Sequence, residues 1–225
     1  MKANIQVLNH FKEKNRISAY RFYVICLNNY NNHIYSTDLE EIGTLLKVSR
    51  SVIHKNIKTL IHLGIMNSPS KGYFRINSWA KFCNTKFNTI RDITLEQLRD
   101  LKFLRTLYYS NKYECAYYVA KKNATRTRHT QGSKKLQKVS ASFVKSVTCI
   151  PQSNQCLYRH LKRAEEFDIM KVVRSIKVIG YSLSIPALKL AKQNIEHSMI
   201  MKLNGRFCLV VKETNKIQPL LGKYM

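Results

Sequence analysis

Residues Thr37 to Asn77, TDLEEIGTLLKVSRSVIHKNIKTLIHLGIMNSPSKGYFRIN, leave the chain few folds to choose from. Ile53, Ile57, Leu60 and Leu63 recur at steps of three and four, which gives a helix one apolar face. Its other face carries Arg50, Ser51, His54, Lys55 and Lys58. Ser49 stands at the N-cap of that helix and Gly64 just past its end. Upstream, Thr37 and Glu40 have capping-box spacing, and Ile42, Leu45 and Leu46 form the apolar face of a preceding helix. Only Lys47-Val48-Ser49 separates the two helices, so the turn is tight. Past Gly64, Ile65-Met66 starts a strand, Ser68 to Gly72 turns it, and Tyr73 to Ile76 returns.

This order, with its core at Ile42 to Met66, resembles the winged helix-turn-helix family of DNA-binding domains. The resemblance implies a second helix in the major groove and a hairpin wing on the backbone. Carried over residue by residue, Arg50, Ser51, His54, Lys55 and Lys58 would face DNA, with Lys71 on the wing. Lys47 replaces a frequent glycine and Gly43 a usual alanine, and neither blocks the turn.

Charge narrows the partner. The formal net charge is +26, from 39 Lys+Arg against 13 Asp+Glu. A small domain needs only about 2–8 for solubility, so the excess implies a polyanion. No Asp or Glu lies between Glu41 and Asp92, nor between Glu114 and Glu165. The first gap holds the helix and wing just described. The six cysteines, Cys26, Cys83, Cys115, Cys149, Cys156 and Cys208, include no C-x-x-C pair. The N-terminus reads as no signal peptide, and no apolar run approaches the ~20 residues of a membrane span. The expectation is a reduced, cytoplasmic protein without a membrane partner.

The remaining chain reads in order. Ile5, Leu8 and Phe11, then Ile17, Tyr20, Val24 and Leu27, mark two helices, and His33-Ile34-Tyr35 a third strand for the wing sheet. This gives a first domain at 1–80, its sheet anchored by Trp79. A helical connector follows at 81–121. In it Thr94 and Gln97 form a capping box for a helix to Tyr109, and Tyr113 to Lys121 forms another. Residues 122–138 read as a basic loop without acids, and Arg126 and Arg128 are its candidates for phosphate or minor-groove contact.

A second copy follows in a domain at 139–198. Ser140 to Val147 reads as a helix, Thr148 to Gln152 as the turn, and Ser153 to Phe167 as the second helix. At an offset of 104, Leu157, Leu161 and Ala164 fall on Ile53, Ile57 and Leu60. The exposed set would be Asn154, Gln155, Tyr158, Arg159, Lys162 and Arg163. Asn and Gln pair with adenine, and Arg with guanine. Met170 to Ser184 reads as a second wing hairpin turning near Arg174 to Lys177, and Pro186 to Ser198 as a helix. Residues 199–225 read as a hairpin on Asn204-Gly205 and a loose polar tail.

No catalytic constellation emerges. Neither a phosphate loop nor a G-x-S-x-G elbow occurs, and acids are too sparse for a two-metal site. His160 and Arg163 form the H-x-x-R fragment of tyrosine recombinases, but no matching upstream arginine motif accompanies them. Cys149, Cys156 and His160 lack a fourth metal ligand. No aromatic pair on strands of the kind that binds RNA is legible.

The expected fold is α+β and mainly helical, with two tandem winged helix-turn-helix domains, small antiparallel wing sheets and a C-terminal β-hairpin. The expected function is sequence-specific binding of double-stranded DNA, without enzymatic activity, cofactor or metal. Such tandem winged helices resemble phage and plasmid replication initiators. Transcriptional regulation is the leading role, and origin binding without catalysis is the alternative. Host transcription or replication proteins would be the partners. RNA binding is a further alternative.

Overall fold

The computed structural model of the chain describes residues 1–13, 15–77, 90–126, 137–173, 176–182, 184–193, 198–203, 205–212 and 216–220. It is an α+β fold, mostly helical, with several small antiparallel sheets. No helix among these residues is long and apolar enough to cross a membrane. Two compact units make it up. One comprises Met1–Asn111, Arg159–Ile169 and Leu220, and the other Lys112–Tyr158 and Met170–Pro219.

In the first unit β1 (Lys2–Asn4) leads into α1 (Ile5–Glu13) and α2 (Ile17–Asn29). Ile17, Ala19, Tyr20, Phe22, Tyr23, Val24, Ile25 and Cys26 are all buried. A helix apolar on nearly every side must lie at the centre of its core, and α2 does. It packs on α1, on α3 (Leu39–Leu46) and on α4 (Arg50–His62). β2 (His33–Tyr35), β3 (Met66–Ser70) and β4 (Tyr73–Ile76) form a sheet in the order β2-β4-β3, so His33-Ile34-Tyr35 is the third strand of this sheet. β5 (Ile90–Asp92) pairs with β1.

The expected Thr37–Glu40 capping box does not form. The carboxylate of Asp38 accepts the Tyr35 N–H at 2.7 Å and closes a 3-10 turn, so α3 starts at Leu39. A Schellman turn ends α3: Lys47 takes a left-handed φ of 53°, and the Lys47 and Val48 N–H groups donate to the carbonyls of Thr44 and Gly43. Gly64, at φ 68°, ends α4 the same way.

The Thr94–Gln97 capping box is present, with the Gln97 N–H donating to Thr94 Oγ1 at 3.1 Å. The helix it opens, α5 (Leu95–Arg99), is short, however. Asp100 breaks it in an extended conformation and caps the next helix by accepting the Lys102 N–H at 2.7 Å. That helix, α6, runs unbroken from Leu101 to Arg126, where two helices were expected. Its polar midpoint is satisfied in place. Ser110 donates to the Thr106 carbonyl, and the Asn111 side chain accepts from that of Asn9 on α1. The basic loop therefore begins later than its sequence suggests, and residues 127–136, Arg128 among them, lie outside the described residues, as does Trp79.

The second unit holds β6 (Gln137–Lys138), α7 (Ala141–Thr148), β7 (Met170–Val173), β8 (Ile176–Ser182), α9 (Ile185–Gln193), β9 (Ser198–Leu203), β10 (Arg206–Lys212) and β11 (Lys216–Pro219). α8 (Asn154–Glu166) lies in the chain between α7 and β7. β9 and β10 pair in antiparallel register, with Gly205 at φ 80°, while Asn204 lies outside the described residues. The second wing differs from its expectation. Among the described residues β7 pairs with β11 and β8 with β10, not with each other. Within the tail read as loose, Lys216–Pro219 thus form a sheet strand, with Ile217 fully buried. The sheet order β6-β11-β7 repeats β2-β4-β3, with β8, α9, β9 and β10 inserted between the last two strands.

Candidate nucleic-acid interface

The first set of candidate residues is built on α4. Ile53, Ile57 and Leu60 are buried, as their spacing requires, and Asn56 is buried with them. Arg50, Ser51, His54, Lys55 and Lys58 are all exposed. Ser49 occupies the N-cap with an extended backbone, but its hydroxyl makes no capping bond. Arg50 and Ser51 therefore stand in a first turn whose backbone N–H groups lack intrahelical acceptors, which favours an anion. Lys71 is exposed in the β3–β4 turn.

α8 repeats this arrangement 104 positions on. Leu157, Leu161 and Ala164 are buried, while Asn154, Gln155, Tyr158, Arg159 and Lys162 are exposed and Arg163 is half-buried. The exposed positions correspond one to one: Arg50 to Asn154, Ser51 to Gln155, His54 to Tyr158, Lys55 to Arg159, and Lys58 to Lys162. Backbone geometry repeats as well. Asp168 has φ 52° where Gly64 has 68°, and the Ile169 N–H donates to the Ala164 carbonyl at 2.8 Å where Ile65 donates to Leu60 at 2.9 Å. The Leu220 N–H donates to the Ile169 carbonyl as Asn77 does to Ile65. Ser153 Oγ accepts the Cys156 N–H at 3.2 Å, so this helix does have a side-chain cap.

His160 occupies the buried position equivalent to Asn56. Its ring stacks on Tyr109 at 4.1 Å, and Nδ1 lies 3.3 Å from Thr106 Oγ1. Burial, then the charges of Arg163, Arg159, Lys12 and Arg105, hold its pKa down at about 4, so it is neutral at pH 7. A neutral, stacked imidazole serves packing here. Arg126 ends α6, and Arg128 lies outside the described residues.

Two features escape a reading of local sequence. Arg21 on α2 is buried without a carboxylate partner in the contacts it makes. It donates to the Leu46 carbonyl at 2.9 Å and the Arg99 carbonyl at 3.3 Å, while Arg99 donates to the Leu45 carbonyl at 2.6 Å. Burial and the Arg99 charge lower the Arg21 pKa. Together the two arginines satisfy the carbonyl end of α3, which sets the turn into α4. The second feature is an aromatic pair on neighbouring strands, where none was expected: Tyr35 on β2 stacks on Tyr73 of β4 at 5.3 Å. No family model matches the chain, and no curated protein or solved structure matches it either.

Proposed function

We propose that this chain is a sequence-specific, non-catalytic binder of double-stranded DNA, acting as a transcriptional regulator, with α4 and α8 as the reading helices of two winged helices. The observation that carries this reading is the one-to-one correspondence of exposed polar and basic positions on α4 and α8. Ile53, Ile57 and Leu60 on α4 and Leu157, Leu161 and Ala164 on α8 are buried, and both helices lie in stretches without Asp or Glu as far as Ala164. Exposed Lys and Arg on such faces gain affinity from counterion release, and Asn, Gln and Arg add base discrimination. The tandem copies suit a non-catalytic initiator on origin repeats as well. Two domains on one chain bind linked half-sites with raised overall affinity in either role. Selection of bound duplexes from a random pool tests the reading. Enrichment of two spaced motifs is the expected result. No enriched motif, or an RNA that outcompetes duplex DNA at equal salt, would overturn it.

A further inference from the structure

The sheet β2-β4-β3 has one face that packs on helices and one that does not. Cross-strand partners in an antiparallel pair share a face. Ile34, paired with Phe74, is fully buried, and β4 and β3 pack on α2 and α4. The alternate residues therefore lie on the outer face. They are His33 opposite Arg75, Tyr35 opposite Tyr73, and Asn67 opposite Arg75. His33, Tyr35, Asn67 and Arg75 are exposed, Tyr35 to 54 %. The rings form a row. Tyr35 stacks on Tyr73 with 28° between planes, Tyr73 is nearly parallel to His33 at 7°, and the Tyr73 hydroxyl lies 2.6 Å from His33 Nδ1.

This row does not serve the core, because the buried side of the sheet is built from the other residues. Its mutual stacking fixes the rotamers before any ligand arrives, which lowers the entropy cost of binding. Tyr35 ends the row with a largely uncovered ring. Arg75 lies beside it on the same face, and Lys71 is exposed in the adjoining turn. The carboxylate at the edge of β2, Asp38, is engaged by the Tyr35 N–H. Planar rings beside cations on a sheet suit a flat, anionic polymer that offers bare ring faces. A duplex keeps its base faces inside, whereas an unpaired strand presents them.

We propose that the outer face of β2-β4-β3 binds single-stranded nucleic acid, with Tyr35 stacking on a base and Arg75 and Lys71 meeting phosphates. Lys71 is shared with the wing of the duplex reading; Tyr35, Tyr73 and Arg75 are separate from α4 and α8, and their stacking role does not depend on that reading. The test measures fluorescence anisotropy of the full chain with labelled oligo-dT and oligo-U of about twelve nucleotides, a length within the usual footprint of such platforms. A duplex is measured in parallel. The variants are Tyr35→Ala, Tyr35→Leu and Tyr35→Trp. Loss of one stacked base predicts single-strand affinity roughly 5- to 150-fold weaker in the Ala and Leu variants, near wild type in Trp, and unchanged duplex affinity. Leu keeps apolar bulk at an exposed position, so its loss reports on stacking and not on folding. A preference for oligo-dT or oligo-U supports the site and identifies its source. Wild-type protein that binds neither strand at a salt where aromatic-rich platforms bind would overturn the proposal. So would equal affinities of the Leu and Trp variants, or a parallel loss on duplex.

Discussion

His160 ties the stability of the first unit to pH, and the sign follows from its surroundings. The ring is 7 % exposed, stacked on Tyr109, and faced by four cations: Arg163, Arg159, Lys12 and Arg105. Its folded pKa of about 4 lies below the ordinary value of 6.5. Between those values the unfolded chain binds the proton and the folded chain does not. Stability from this residue is therefore complete above pH 6.5 and is lost as pH falls toward 4. A shift of this size corresponds to roughly 3 kcal/mol at full effect. The ring borders an open hollow of about 410 Å³, shared with Lys12, Asn15, Ser18 and Arg105. Solvent screening there reduces the expected loss to roughly 1–2 kcal/mol. The assay is urea unfolding at closely spaced pH values, for wild type and His160→Gln. The difference between the two curves is the observable, because it cancels what both chains share. That difference should narrow as pH falls from 6.5 to 4. Parallel curves, or an imidazole NMR resonance for His160 titrating near 6.5, would refute the reasoning.

Three further perturbations probe the helices and the turn between them. Lys55→Ala or Arg159→Ala should weaken binding to the selected duplex by about 1–3 kcal/mol more than binding to random duplex. Equal losses would make that residue a phosphate contact. Arg21→Met removes the donor to the Leu46 carbonyl at the end of α3, and with it the donor to the Arg99 carbonyl, and should destabilise the fold by roughly 1–3 kcal/mol in urea unfolding. A change below about 0.5 kcal/mol would mean that water replaces the guanidinium. Lys47→Gly relieves a left-handed lysine at φ 53°. The relief of about 1–2 kcal/mol exceeds the entropy cost of glycine, so stability should rise by about 0.5–1 kcal/mol. A fall in melting temperature would show that the lysine side chain holds the turn.

Some helix boundaries were legible from one residue, but Asp38 and Asp100 set the starts of α3 and α6 against the expected reading. Gly64 ends α4, and the apolar steps of α4 and α8 predict the burial of Ile53, Ile57, Leu60, Leu157, Leu161 and Ala164, whereas Leu63 at the end of its helix is only half-buried. What stayed illegible depends on partners far away in sequence. Ser110 and Asn111 read as a break between helices, yet Asn111 finds its partner on Asn9, about a hundred residues earlier. Met170 to Ser184 alternates as a hairpin would, but alternation fixes only the faces of a strand and not its partner. The partners are β11 and β10, and β11 shows one apolar residue, Ile217, between polar neighbours. Tyr35 and Tyr73 sit on separate strands, so their stacking is invisible until the register is known. Arg21 lies within an apolar helix, where its use as a cap for another helix leaves no local mark.

The correspondence of α4 with α8 makes a prediction that neither helix makes alone. The backbone around each repeats closely, yet four of the five exposed positions hold different side chains. Arg50, Ser51, His54 and Lys55 offer mainly donors and positive charge, which suit phosphates and the guanine edge. Asn154 and Gln155 can each donate and accept, which is the pattern adenine requires, while Arg159 suits guanine. Under the proposed reading the target therefore consists of two unlike half-sites, in contrast to the symmetric operators of two-fold dimers. Selected duplexes should carry a guanine-rich half at one position and a half containing adenine at the other. Transplanting the first set into the second (N154R, Q155S, Y158H and R159K together) should convert the adenine half toward a copy of its neighbour. These positions are exposed, so the fold should tolerate the change with only a small shift in urea midpoint. A wild-type target that is already a simple repeat would refute the unlike half-sites, and a transplanted chain with an unchanged target would show that α8 does not read bases.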